Sequence, residues 1–434
     1  MLSDRQQKES AAKMRKESNL SLEVVILLIF GELMLLFGLL LFKIHTGNLP
    51  YNPNSTYGLF LVLVSFQVIT MGKTPFGDLP RSWALIIIGI CTATLGMAAC
   101  FIPGYFTEIV RILVGILLFA GGISLLIQLF LSKKKASMWM KIGGIFQQLT
   151  IACGLVYALT VVQGLITLFP GFTTDPQTAI LLIIYGTSFF YLSWCIWKIG
   201  RSYPPEKPND IALSIQDADK ADSIRHFRFF RDASLPHSQA ILILLGILIT
   251  FLGLLLFPVN LGVLPFSPDG QLGLLLTIMA IQMMALGETP LGQYKRSYLM
   301  IIIGIVFAGL GDVSCIVPGM LTGMIRILLG LLNIMAGAAF FIKLYLPKLQ
   351  GIRTPPEAPG VIPPVVKKLG GTRIVMNSVT IAFGISMLSP GLVSGLAGLA
   401  VPVLIVVMGL LIFKLVSLLQ KVTRMQASGE PQVI

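Results

Sequence analysis

Two arginines set in apolar sequence, Arg111 in TEIVRILVG and Arg326 in TGMIRILLG, are the residues best suited to chemistry in this chain. A charge inside hydrocarbon costs about 2.5 to 3.5 kcal/mol on insertion scales, so each needs a reason to be there. A guanidinium keeps its charge and offers a planar fork, which suits it to an anionic or carboxylate group. The functional reading is a pair of substrate-binding arginines. The structural reading is two arginines reaching for the headgroup boundary and pairing with nearby acids. Glu108, three residues before Arg111, and Asp312, just before the Pro318-Gly319 turn, are candidate partners and also candidates for proton or ion coupling.

A third acid, Glu32, lies about ten residues into the first apolar run, near mid-membrane at ~1.5 Å per residue. It is a candidate proton or cation carrier, or a protonated carboxyl bonded to a neighbouring helix. Gln67 and Gln282 are candidates to line a solute pathway or to bond between helices. The most specific motif is Gly-x-Thr-Pro-x-Gly, present as Gly72, Thr74, Pro75 and Gly77 and again as Gly287, Thr289, Pro290 and Gly292. Gly ends a helix, Thr-Pro makes a rigid turn, and Ser82 or Ser297 can cap the next helix. These residues suit a tight cytoplasmic turn, and two related turns could act as gates.

The elements that hold these residues follow from composition. With 55% hydrophobic and 12% charged residues over 434, and a mean hydropathy of +0.86, the chain cannot bury its apolar surface in a water-soluble core. Soluble domains carry about 25% charged residues. The predicted class is an all-α integral membrane protein with about twelve transmembrane helices, near 22–43, 57–72, 83–102, 106–131, 145–168, 177–198, 238–257, 271–287, 297–317, 321–346, 373–389 and 397–419. Lys and Arg fall in alternate connections only. The connections 44–56, 103–105, 169–176, 258–270, 318–320 and 390–396 contain none. The positive-inside rule then puts both termini in the cytoplasm, in what reads as a prokaryotic cytoplasmic membrane. The net charge of +13 follows from this topology and does not indicate nucleic acid.

Sliding the chain by 215 positions superimposes Gly72 on Gly287. It also brings Arg81-Ser82 onto Arg296-Ser297, Cys100 onto Cys315, Pro103-Gly104 onto Pro318-Gly319, Arg111 onto Arg326 and Gln67 onto Gln282. Glu32 meets Ile247. Thr-Pro, Arg and Pro-Gly in one register mark an internal duplication. Six helices per copy is an even number, so the copies are parallel.

The predicted organisation is a cytoplasmic segment 1–21, a first six-helix repeat 22–198, a partly interfacial cytoplasmic linker 199–237, a second repeat 238–420 with a Pro-rich cytoplasmic insert at 347–372, and a tail 421–434. The linker interleaves aromatics with arginine in Arg225-His226-Phe227-Arg228, a pattern that suits lipid headgroups.

No Walker loop, HExxH, GxSxG or dinucleotide fingerprint occurs, and the five cysteines show no metal-ligand spacing. No enzyme activity, cofactor or metal is expected. The hairpin in which a Gly-containing apolar helix ends at a Pro turn and returns through spaced glycines, Pro103 to Gly122 and Pro318 to Gly337, resembles the HdeD-like family of small membrane proteins linked to acid stress. The resemblance implies one six-helix family unit in each half, over most of the chain, and carries no site residues across. Two functions are compatible with the sequence. One is a secondary transporter or channel-like carrier for a small anionic or polar solute, with an axial cavity between the copies. The other is a non-transporting, stress-related or scaffolding subunit that docks a membrane or cytoplasmic protein partner through its inserts.

Overall fold

A computed structural model describes residues 20–70, 73–74, 77–78, 83–131, 133–202, 237–285, 297–349, 364–389 and 399–427. Thirteen helices run through them: α1 (Leu22–His45), α2 (Pro53–Thr70), α3 (Trp83–Phe101), α4 (Thr107–Leu131), α5 (Lys133–Ile142), α6 (Gly144–Leu168), α7 (Asp175–Ser202), α8 (His237–Asn260), α9 (Pro268–Ala285), α10 (Tyr298–Ile316), α11 (Thr322–Leu349), α12 (Pro364–Leu388) and α13 (Ala400–Ala427). Ten are long and apolar enough to cross a membrane. Of the other three, α2 and α9 are 18 residues each and α5 is a short basic helix.

The expected boundaries shift where apolar runs are a poor guide. Pro53, Pro268 and Pro364 are each the first residue of a helix, where the missing N–H costs nothing and the fixed φ is already helical. The sequence reading started these helices later because it counted only apolar residues. Consequently α11 and α12 take up much of the expected 347–372 insert, leaving 350–363 outside the described residues. The extra helix α5 occupies the basic connection at Lys133. Its Trp139 packs on Phe146 with ring centroids 5.4 Å apart, and this mix of lysine and aromatic suits a headgroup-level position. The N-terminal segment through residue 19, the linker at 203–236 and the tail from 428 lie outside the described residues.

Local chemistry sets the turns. Ser21 accepts the Val24 N–H at 3.4 Å, and Ser297 accepts that of Met300 at 3.3 Å, as an N-cap should. Gly104 and Gly319, the second residues of the matched Pro-Gly turns, take φ of 88° and 83°, the left-handed conformation that ends a helix. The backbone of Lys73–Thr74 pairs antiparallel with Gly77–Asp78.

Helices pair in the same manner in both halves. α1 packs on α7 as α8 packs on α13; α2 packs on α3 as α9 on α10; α4 packs on α6 as α11 on α12. Hydrocarbon gives no hydrophobic drive for such contacts, so close packing must supply it. A Cβ on Gly96 would sit 2.6 Å from the Gly58 carbonyl oxygen, and one on Gly273 would sit 2.6 Å from that of Gly311. The α2/α3 and α9/α10 hairpins therefore touch backbone to backbone.

The halves meet through α1, α2 and α3 on one side and α8, α9 and α10 on the other. Two backbone bonds cross reciprocally: Asn52 N–H donates to Ile316 O at 3.0 Å, and Ser267 N–H donates to Phe101 O at 2.9 Å. Both donors and both acceptors are 215 positions apart. Thr107 donates to Asn54 Oδ1, and Thr322 to Asp269 Oδ1, in equivalent places. Phe66, Met97 and Phe101 are fully buried in the core that spans this region.

Gly96→Val should force α2 and α3 apart and cost about 1 to 3 kcal/mol. It should lower the thermal midpoint of the purified protein in detergent. Gly121→Ala, where an added Cβ meets nothing within 4 Å, should leave the midpoint at the wild-type value.

Candidate functional site

Arg111 is committed to structure. Its Nη2 donates to Glu108 Oε2 at 2.7 Å, and its Nη1 donates to the carbonyls of Thr167 at 2.7 Å and Leu168 at 3.3 Å. Those carbonyls lie at the end of α6, where a helix leaves acceptors unpaired and a cation is favoured. Arg326 is exposed on α11. α4 packs within its own half and α11 within the other, so the structure does not bring the two guanidiniums to a shared anion site. Nor does Asp312 reach Arg326 among the described residues. Asp312 is fully buried, and its Oδ1 lies 3.4 Å from the Thr277 hydroxyl.

Gln67 and Gln282 each line a cavity, but the cavities lie inside the halves and not between them. The first, about 240 Å³, is enclosed by α1, α2, α3, α4, α6 and α7. Its polar wall consists of Glu23, Gln67, Ser124, Tyr157, Thr160 and Tyr185, with aromatic surface from Phe30, Phe60 and Phe189. Tyr185 and Thr160 share a hydrogen bond of 2.8 Å. The second cavity, about 140 Å³, is lined by Gln282, Asn333 and Thr380 among apolar residues. Phe60, Val64, Gln67 and Leu118 of the first correspond, 215 positions on, to Leu275, Met279, Gln282 and Asn333 of the second. Where an axial cavity between the copies was expected, the described residues of the two halves touch through the backbone bonds from Asn52 to Ile316 and from Ser267 to Phe101.

Glu32 and Asp312, on different halves, lie on helices α1 and α10 that pack on each other. Glu32 Oε1 lies 2.5 Å from where a Cβ on Gly309 would sit, and Glu32 is the strongest charge acting on Asp312. Glu32 Oε2 and Asp312 Oδ2 are buried without a hydrogen-bond partner among the described residues. Of the expected gating turns, only Thr74 and Gly77 are described, paired with each other through the backbone. Gly72, Pro75, Gly287, Thr289, Pro290 and Gly292 lie outside the described residues.

Sequence reasoning missed Thr277, Gly309, Tyr185, Thr160, Asn333 and Glu23. A mismatch in the 215-residue register marks three of them: Thr277 stands opposite Val62, Gly309 opposite Thr94, and Asn333 opposite Leu118. Nothing in the sequence singles out Tyr185 or Thr160. His45 bonds Asp175 at 2.9 Å and ties the end of α1 to the start of α7.

A family model described as a short repeat of unknown function (DUF308) matches residues 87–160. The matched stretch runs from within α3 to within α6 and contains the Pro103 to Gly122 hairpin. No curated protein and no solved structure matches the chain. The repeat is that of HdeD-like membrane proteins, so the match is compatible with the resemblance carried by that hairpin. With ten helices of spanning character and this repeat in its first half, the chain is a multi-pass membrane protein with a DUF308 repeat.

Proposed function

We propose that the protein is a secondary transporter or channel-like carrier for a small polar solute, built from two parallel six-helix repeats. The observation that carries this reading is the pair of cavities at equivalent places in the two halves, each with a matched glutamine in its wall. Protein interiors close-pack, and a cavity of this size forfeits contacts along its walls. A purely structural bundle gains nothing from keeping two such voids and placing amides and hydroxyls around them. Parallel repeats related along the membrane normal are one of the arrangements used by secondary transporters. The identical helix pairing and the reciprocal backbone bonds support that layout. The cation-free connections support cytoplasmic termini and a prokaryotic cytoplasmic membrane.

The wall chemistry narrows the solute. Among the described residues no Lys, Arg or His lines the first cavity, and its one ionisable acid is Glu23. Amide, hydroxyl and aromatic groups favour a neutral polar or cationic solute over the anionic one for which Arg111 and Arg326 were candidates.

Proteoliposomes should be assayed with a panel of isotope-labelled neutral polar solutes, organic cations and organic anions. At least one neutral or cationic solute is expected to cross faster than in protein-free vesicles. Gln67→Leu with Tyr185→Phe should cut that flux about tenfold, the sum of two hydrogen bonds worth about 0.5 to 1.5 kcal/mol each. If no solute crosses faster and none raises the thermal midpoint, the transport reading is wrong and the scaffolding alternative takes its place.

The arginine gives a separate check. Arg111→Ala should lower thermal stability by about 1.5 to 3 kcal/mol through the lost carbonyl bonds at the end of α6. Glu108→Gln, at an exposed ion pair, should cost under about 1 kcal/mol. An Arg111→Ala protein with wild-type stability and no solute saturation would return the arginine to the solute site.

A further inference from the structure

Glu32 and Asp312 stand at non-corresponding positions of the two halves, on helices α1 and α10 that pack along the interface, near enough for the charge of one to act on the other. Gly309 makes room for Glu32, since any side chain there would collide with Glu32 Oε1. Asp312 follows three residues later on the same helix face.

Thr277 of α9 completes the group. Its one hydroxyl hydrogen is shared between the Gly273 carbonyl at 3.1 Å and Asp312 Oδ1 at 3.4 Å, to both of which it donates. The second oxygen of each acid is buried with no hydrogen-bond partner among the described residues, which leaves two acceptors that a proton on the carboxyl would satisfy. A metal cage would need about six oxygens. Here the neighbouring helix carbonyls are engaged, with Gly273 O already receiving Thr277, so the proton is the ligand that fits.

The related place across the pseudo-twofold decides between a packing role and a functional one. There Glu32, Thr277 and Asp312 are represented by Ile247, Val62 and Met97. α8 and α3 pack together there, and Val62 and Met97 are buried in the core. The next titratable group acting on Asp312 is the Cys315 thiol, one turn along α10. Asp269 of α9 and Cys100 of α3 act on Cys315. No further charged group acts on Glu32 or Asp312 from α1, α2, α7, α9 or α11 among the described residues.

We infer that Glu32 and Asp312 form one exchangeable-proton site, held between the halves and supported by Thr277, that takes up H⁺ on a carboxylate oxygen and returns it to water. Dicyclohexylcarbodiimide tests this in the full-length protein in liposomes. The reagent partitions into lipid and adds the O–H of a protonated carboxyl across its C=N bond. The adduct rearranges to a stable N-acylurea with nothing lost, and peptide mass mapping locates it.

The wild type should be labelled at Glu32 or Asp312, and the label should fall at least tenfold as the medium is taken from about pH 5 to about pH 9. Asp312→Asn should move the pH midpoint of Glu32 labelling by about one unit or more, because coupled acids titrate as a pair. The triple variant Glu32→Ile, Thr277→Val, Asp312→Met copies the residues of the other half. It should fold with at least the wild-type thermal midpoint and take no label at this site. A label independent of pH, a Glu32 profile unmoved by Asp312→Asn, or a triple variant that melts below wild type would each overturn the inference. Solute flux is not read here, so the outcome is separate from that of the transport reading.

Discussion

Backbone contact between helices at glycine is the interaction on which the rest of this structure depends. Water drives apolar helices together, but lipid does not, and what remains is dispersion and weak polar contact at short range. Gly58 against Gly96 and Gly273 against Gly311 bring two hairpins to that range. Only hairpins so thin could set Asn52 and Ser267 within reach of carbonyls in the opposite half. The C-terminal ends of α3 and α10 are thereby fixed, and the remaining helices of each half arrange around them. The cavities lie on the far side of these hairpins because the near side is closed.

Polar groups are divided between two duties. Arg111, Thr107, Thr322 and His45 finish helix ends or join neighbouring helices, each with its partners in place. Gln67, Tyr185 and Gln282 border open volume, and Glu32 and Asp312 keep oxygens without partners among the described residues. Charge alone did not distinguish the two sets. A charged residue in an apolar run is a reason to look, and the partner it finds decides what it does.

Helix positions were legible in the sequence because spanning length and hydropathy leave few alternatives, and residues such as Arg111 and Arg326 could be matched by spacing alone. Faces were less legible. α1 and α8 are apolar nearly all round, so no periodicity tells which side meets α10 or α3. For that reason Glu32 was recognised as unusual without its partner, and Asp312 was assigned to Arg326, its neighbour along the hairpin. Glu108 was paired correctly, since three residues on one helix fix a face. The helix starts at Pro53, Pro268 and Pro364 were misjudged for a local reason, proline's preference for the first turn.

The reciprocal bonds between Asn52 and Ile316 and between Ser267 and Phe101 carry a consequence for symmetry. Two identical chains meeting through this surface would make every contact twice. A carboxyl introduced on one would recur on the other, and two acids opposite one another would become four in a small volume of hydrocarbon. Two halves within one chain escape that coupling, because each can change alone. Glu32, Thr277 and Asp312 stand 215 positions from Ile247, Val62 and Met97. One chain with two similar halves can thus carry a pair of acids once, which a dimer of identical subunits could not.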